Sequence, residues 1–478
     1  MLEKLKPARV FKYFEDICSI PHGSGDMERI ADYCVEFVKS HKLEYKRDTA
    51  NNVVIYKNAT AGYENAEPVI LQGHLDMVCQ QTENKNIDFS ADGLDIFVDG
   101  DFIKARGTTL GADNGIAVAM VLAILESDEY KHPRIEAVFT TDEEIGMIGA
   151  TKLDMSLLSA KKMINIDSEE ENAVTVSCAG GSDFKVTMPI NRVKKIGTEV
   201  TVILKGLKGG HSGIEIDKGR VNANMLAGRF LNYMANVTDF DIISIDGGDK
   251  GNAIPNLCKM ILCVDDADNF INEAKKELET IKNEILERER DFAPIITVGR
   301  KAEFDVFDNE LKNNLIFALL CSPNGIIEMS ASITGLVETS LNLGILSTGN
   351  DKITMLFTLR SNKKSAHTAL ENKLKVFFGT LPCTIEASGH YPPWEFKENS
   401  TLQKLYCKTY KEIVGFEPSI EAIHAGLECG TFASAISGLD CISIGPDLFD
   451  VHTVNEKMSV SSVERIFNVL VSVLEKFV

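Results

Sequence analysis

Five side chains with metal-binding chemistry stand where short apolar runs of this sequence begin or end: His74, Asp113, Glu144, Asp167 and His452. Two imidazoles with three carboxylates form a donor set suited to zinc, or to manganese or cobalt. If one carboxylate bridges, the set holds two ions about 3.5–4 Å apart, which together bind a carbonyl oxygen and lower the pKa of a shared water. That water needs a further group to take its proton and pass it to the leaving amine. Glu143 is adjacent to Glu144 and not required as a ligand, so it is the candidate general base. Asp76 follows His74 by two residues and shares its side of a strand; it can accept a hydrogen bond from the imidazole and fix its tautomer. Singly, each residue has an ordinary explanation. A histidine beside a strand is commonly structural, Asp113 can cap the apolar helix it precedes, and a Glu pair usually lies on a solvated turn. Their joint occurrence is what points to a metal centre.

The elements that must position these residues follow a strand–helix rhythm. Pro68 to Gly73 reads as an apolar strand ending at His74-Leu-Asp76. A loop rich in Asp and Asn runs from Thr82 to Asp101, and Gly111-Ala-Asp-Asn-Gly115 opens an apolar helix, Ile116 to Leu125. Ile135 to Phe139 is a further strand, ending at the Glu pair, with Gly146 and Gly149 turning the chain; Lys161 to Asp167 is another. Ligands bind outside the carboxyl ends of strands in open α/β sheets, so these ends are expected to converge. After Cys178-Ala-Gly-Gly181 the chain changes to strands alternating with amphipathic helices, up to Tyr391-Pro-Pro-Trp394. The rhythm predicts two successive β-α-β-β-α-β units. The first style then returns with helix Leu402 to Val414, strand Asp440 to Ile444 and a closing helix Val460 to Phe477. The expected fold is α/β. A catalytic domain (1–181 and 392–478) with a mixed, mostly parallel sheet flanked by helices carries an inserted α/β lid domain (182–391) of two similar subunits.

A chain of 478 residues is too long for one core. Its net charge of −20 argues against a nucleic-acid partner and against an anionic membrane surface. No run of apolar residues is long enough to span a bilayer, and the mixed-charge start lacks a signal-peptide core. Eleven scattered cysteines without a C-x-x-C pair suit a reducing compartment, so a cytoplasmic location is expected.

His74-Leu-Asp76, Gly111-Ala-Asp-Asn-Gly115, Thr141-Asp-Glu-Glu-Ile-Gly146, Asn165-Ile-Asp-Ser-Glu169 and the late His452 resemble, in order and spacing, the dinuclear zinc peptidases that include carboxypeptidase G, carnosinase and acetylornithine deacetylase. The resemblance covers nearly the whole chain, and Ile423-His-Ala-Gly-Leu-Glu-Cys-Gly430 resembles the signature of a bacterial dipeptidase subgroup. It implies that His74 and Asp167 hold one metal and Glu144 and His452 the other, with Asp113 bridging, Glu143 as general base and Asp76 as orienting residue. Gly209-Gly-His-Ser-Gly213, Gly251-Asn-Ala-Ile-Pro255 and Thr358-Leu-Arg360 resemble lid motifs of the family. By that resemblance His211 polarises the scissile carbonyl, Asn252 binds substrate and Arg360 holds its C-terminal carboxylate. Because those residues lie in another domain, lid closure is expected. Glu428 is a candidate for recognising a free substrate amine.

The expected activity is hydrolysis of small unblocked dipeptides, with Xaa-His and β-Ala-His among the candidates, using two divalent ions per chain. Deacylation of N-acyl amino acids on the same centre is the alternative within this chemistry. A metal- or peptide-binding protein without catalysis is the alternative outside it, and the presence of all five ligand candidates together with Glu143 disfavours it. The partner is a small dipeptide, and a homodimer is left open by the resemblance. The Gly-rich pieces lack the patterns of nucleotide-binding loops, and the helical zinc motif H-E-x-x-H is absent.

Overall fold

A computed structural model describes residues 2–477. It divides into two compact units. The first comprises the chain up to Cys178, Trp394–Ala422 and the residues from Leu427 onward; the second comprises Ala179–Pro393 and Ile423–Gly426. The chain therefore passes between units four times, and the tetrapeptide Ile423–Gly426 joins the second unit, which the sequence places within the catalytic part.

The first unit is built on an eight-stranded sheet. Its centre is parallel: Val69–His74 lies between Ile135–Thr140 and Lys162–Asn165, and Asp440–Ser443 continues the parallel pairing beyond the latter. Val69–His74 and Ile135–Thr140 are buried at every position, as strands covered on both faces must be. Antiparallel strands flank this centre, Glu44–Arg47 and Val53–Lys57 on one side and Ala173–Cys178 on the other. The helix Ala112–Glu126 is apolar almost throughout and buried accordingly. The expected loop from Thr82 to Asp101 contains a strand, Ile96–Asp99, which pairs with Phe102–Ala105. With Leu448–Phe449 and Lys457–Ser459 these form a four-stranded sheet that fixes both ends of the loop carrying His452. Alternation too short to stand out among the loop's acidic residues hid that hairpin.

The second unit carries one nine-stranded antiparallel sheet. Two βαββαβ arrangements lie in it side by side, but they are not successive as the rhythm predicts. Strands Arg192–Leu204, Phe240–Gly247, Cys258–Val264 and Ile295–Phe307, with helices Ala223–Val237 and Ala267–Ile285, form one half in the spatial order fourth, first, third, second. The other half repeats that order with Gly180–Pro189, Val337–Thr348, Lys352–Ser361 and Thr384–Tyr391, and with helices Asn309–Cys321 and Lys364–Phe378. Its first strand precedes the whole of the other half, so one half is nested inside the other. Strand Gly180–Pro189 pairs with Lys352–Ser361 in unbroken register, from Gly180 opposite Ser361 to Pro189 opposite Lys352. Periodicity shows strands and helices but not which distant strand pairs with which, so nesting is invisible in the rhythm. Among the described residues no helix is long and apolar enough to cross a membrane.

Candidate metal centre

The three central parallel strands of the first unit bring His74, the Glu pair and Asp167 to one edge of the sheet. His74 ends its strand with 2% of its surface exposed. Its Nδ1 lies 3.0 Å from the backbone oxygen of Asp76 and 3.4 Å from Asp76 Oδ1. Both neighbours are acceptors, so Nδ1 carries a proton, and Nε2 is the nitrogen left to meet a cation. That Nε2 faces Asp113 Oδ1 at 3.2 Å and Asp167 Oδ1 at 3.4 Å.

Asp76 is saturated with donors. Its Oδ1 accepts from the Glu143 amide at 2.9 Å; its Oδ2 accepts from the Glu144 amide at 3.2 Å and from Ser24 Oγ at 2.8 Å. One carboxylate thus orients the imidazole and the backbone of both glutamates. The turn that follows is tight: the Glu143 carbonyl accepts from the amides of Gly146 and Met147, and Gly149 N donates to Thr141 O at 2.8 Å. A side chain at Gly149 would bring Cβ within 2.3 Å of that same oxygen, which is why a glycine stands there. Ser24 belongs to the N-terminal Pro-His-Gly-Ser-Gly segment, and its hydrogen bond spans 52 residues.

Asp113 does not cap its helix. It sits in the first turn with a non-helical ψ of 104° and no side-chain capping bond. The cap is supplied by Glu456, 3% exposed, whose carboxylate accepts from the amides of Leu110, Gly111 and Ala112 at 2.7, 3.2 and 2.8 Å. The neighbouring Asn114 ties His74 N to the Ile166 carbonyl through its amide. Freed from capping, Asp113 directs Oδ1 to His74 and Oδ2 to His452 Nε2, 3.1 Å away. His452 also meets Glu144 Oε1 at 2.9 Å, and it is held in a left-handed turn with φ of 61°. Replacing Glu456 by Ala strands three buried amides, and a stability loss of about 1–3 kcal/mol is expected. Chemical unfolding of the metal-free protein measures it; an unchanged midpoint would show the cap to be dispensable.

Charge in the pocket is unbalanced. Asp113, Glu143, Glu144 and Asp167 face only two imidazoles. Burial, opposed by His74 and reinforced by the Asp113 and Glu144 carboxylates, pushes Asp167 up to about 6. Burial likewise raises Glu143 well above the ordinary carboxylate range, against the pull of His74. For Asp113 burial acts upward too, but hydrogen bonds from His452 and His74 outweigh it and hold the carboxyl below its usual value. Hydrogen bonds to Asp113 and Glu144 raise His452 to about 11. Carboxylates gathered out of water require positive charge beside them. Ligand atoms of His74, Asp113 and Asp167 lie within 4.8 Å of one another, as do those of Asp113, Glu144 and His452, and those of His74, Glu143 and Glu144. The donors therefore fit divalent cations, with Asp113 common to two groups.

In the second unit, His211 and Asn252 meet at the end of a two-stranded ribbon in which Gly210 pairs with Ile254 and His211 with Ala253. The Asn252 carbonyl accepts from Ser212 N at 2.9 Å and its side chain is exposed. His211 Nδ1 accepts from the amides of Gly213 and Ile214, each at 3.1 Å, leaving Nε2 as the protonated nitrogen. Burial and then Arg360 lower its pKa, so the ring is a neutral donor. Arg360 is 7% exposed, not a surface residue; it donates to Tyr391 Oη at 2.9 Å, and its Nε has no acceptor. His424, which sequence reading passes over, is buried between Ser340 Oγ and Asn362 Oδ1, and burial with Arg360 and His211 nearby lowers it to about 3. Gly213 is the meeting point: a Cβ there would lie 2.5 Å from His424 O, 3.0 Å from His211 Cε1 and 3.1 Å from Arg360 Nε.

Glu428 is placed differently from a residue awaiting an amine. It is 0% exposed in the first unit, with Oε2 accepting from Gln72 and Thr140. Of the sequence candidates, His74, Asp76, Asp113, Glu143, Glu144, Asp167 and His452 are gathered in the first unit, and His211, Asn252 and Arg360 belong to the second.

Residues 70–476 match the family described as Peptidase family M20/M25/M40. The chain is 37% identical over 479 residues to the cytosol non-specific dipeptidase of Escherichia coli (strain K12), covering 99% of each. Its structure resembles that of aminoacylhistidine dipeptidase from Vibrio alginolyticus with a TM-score of 0.92 at 38% identity, over 99% of this chain and 98% of that one. Aminopeptidase PepT from Bacillus cereus ATCC 10987 shares the fold at 14% identity, with a TM-score of 0.57 over 99% of each chain. With a family match over most of its length and a full-length relative beside it, the chain belongs to peptidase family M20/M25/M40.

Proposed function

We propose that this chain is a dinuclear metallodipeptidase that hydrolyses small dipeptides with a free amino end. The observation that carries the reading is the bridge made by Asp113, whose two oxygens stand 3.2 Å and 3.1 Å from the two histidines. The names of the two full-length relatives, both dipeptidases, support it. Two divalent cations, zinc in this reading with manganese or cobalt as alternatives, supply Lewis acidity toward the scissile carbonyl and acidify water. His74 and Asp167 are the residues for one ion, Glu144 and His452 for the other, and Asp113 for both. Asp76 holds the His74 tautomer and the Glu143 backbone. Glu143 takes a proton and returns it to the leaving amine. His211, as a neutral Nε2–H donor, is suited to an oxygen that gains charge, and Arg360, with an unused Nε, is suited to a carboxylate. Asn252 is kept as a substrate contact on the strength of its place beside His211, where its carbonyl accepts from Ser212 N. A cytoplasmic location accords with the name of the Escherichia coli relative.

The experiment is hydrolysis of Ala-His, β-Ala-His, Gly-Leu and N-acetyl-ornithine by metal-stripped protein resupplied with zinc, manganese or cobalt. Cleavage of the dipeptides, restored by metal and absent for N-acetyl-ornithine, is the expected result. Cleavage of the acetylated substrate alone would move the assignment to a deacylase. Stoichiometric metal binding without any cleavage would reduce the protein to a binding role.

A further inference from the structure

Central strands of a parallel sheet are ordinarily apolar on both faces. Three such strands here each bury one polar side chain next to the proposed metal ligands. Gln72 stands two residues before His74, Asn165 two before Asp167 and Thr140 three before Glu143. The strands are neighbours, with Thr140 level with His74 and Asn165 level with Gln72. All three side chains are 0% exposed, and so is Glu428, which opens the helix Glu428–Ala435.

These four residues form one network. Gln72 Nε2 donates to Glu428 Oε2 at 2.5 Å and to Thr140 Oγ1 at 3.1 Å. Thr140 Oγ1 donates to the same Glu428 oxygen at 2.7 Å. Asn165 Nδ2 donates to Gln72 Oε1. One carboxylate, distant in sequence from all three, thereby gathers side chains from every strand that ends in the metal pocket. Polar residues two positions apart on a strand point to the same face, so Gln72 and His74 move together. Two acceptors, Glu428 Oε1 and Asn165 Oδ1, have no partner, and burial pushes Glu428 up to about 7 against the pull of His74 and Thr140.

We propose that Glu428 is a positioning residue: through Gln72, Thr140 and Asn165 it holds the three strand ends in the register that metal ligation needs, and it does not touch substrate. This rests on the reading of His74, Glu144 and Asp167 as metal ligands. Residues that orient ligands rather than bind the ion change metal affinity when removed.

The test is metal affinity of the stripped full-length protein, read with zinc in competition with a chromogenic chelator, together with kcat and KM for Ala-His. Glu428→Gln keeps an acceptor for Gln72 and Thr140 and is expected to match the unsubstituted protein in all three. Glu428→Leu is expected to weaken metal binding by about 10–100-fold and to lower kcat more than it raises KM. Thr140→Val keeps shape and charge, so it reads the same network should Glu428→Leu fail to fold; its effect is expected in the same direction. Combined with Glu428→Gln, Thr140→Val is expected to cost no more than it does alone, since Glu428→Gln leaves the acceptor in place. Unchanged metal affinity in Glu428→Leu or Thr140→Val would overturn the proposal. So would a KM for Ala-His that rises in Glu428→Gln as far as in Glu428→Leu, the mark of a contact with the substrate amine. If the unsubstituted protein cleaves no dipeptide, chelator competition still decides the role of Glu428, so the two readings fail separately.

Discussion

Glu143→Gln will leave two metal ions bound and lower kcat by about 10²–10⁴-fold, the usual contribution of a positioned acid–base group. The amide has the size of the carboxylate but takes up no proton. The Glu143 backbone will stay in place, because its amide is held by Asp76 Oδ1 at 2.9 Å and its carbonyl closes the turn to Gly146 and Met147. A lost kcat with retained metal therefore reports the side chain's chemistry, not its packing. Burial already separates Glu143 from an ordinary surface glutamate by raising its pKa well above the usual range. The measurement is kcat and KM for Ala-His alongside metal content by elemental analysis. Near-normal turnover in this variant would remove Glu143 from the mechanism.

Asp113→Ala will act differently, because the residue faces both histidines. Loss of its two oxygens deprives both candidate groups of a ligand, and metal content is expected to fall from two ions per chain to less than one. The cations supply several kcal/mol of transition-state stabilisation, so kcat/KM is expected to fall by about 10³-fold or more. His452→Ala touches one group only and is expected to retain one ion, a contrast that identifies the bridge. Equal metal loss in the two variants would contradict bridging by Asp113. The helix itself will survive the substitution, since Glu456 and not Asp113 supplies its cap.

His74, the Glu pair and Asp167 were legible in the sequence because each follows an apolar run, and a central parallel sheet carries those run-ends to one place; Asp113 opens a helix, and His452 lies in a loop held by the four-stranded sheet. Their supports were not legible. Ser24 reaches Asp76 from an N-terminal loop, and Glu456 reaches residues 110–112 from a loop near the other terminus. Neither pairing leaves a periodicity that a single sequence can display. Asp113 preceding an apolar helix looked like a cap for good local reasons, and only a longer-range carboxylate displaced it. Glu428, a candidate for a substrate amine, sits in a motif that resembles a subgroup signature, yet the adjacency of three strands places its side chain in the interior. The same limit explains the nested halves of the second unit, because helical and strand periods say nothing about which distant strands pair.

The nesting carries a consequence for the order in which the chain can acquire its structure during synthesis. The inner half of the second unit, closed by the strand Ile295–Phe307, has all the pairings internal to it as soon as that strand has been made. The outer half must keep Gly180–Pro189 waiting until Lys352–Ser361 and Thr384–Tyr391 arrive. The catalytic sheet waits longest, since Lys162–Asn165 needs Asp440–Ser443 and the His452 loop follows that strand. Pairings this distant are slow to close, and unpaired central strands are exposed to wrong partners meanwhile. The insertion can therefore pair from the inside outward, and the candidate metal ligands come together only once Asp440–Ser443 and the His452 loop have been made.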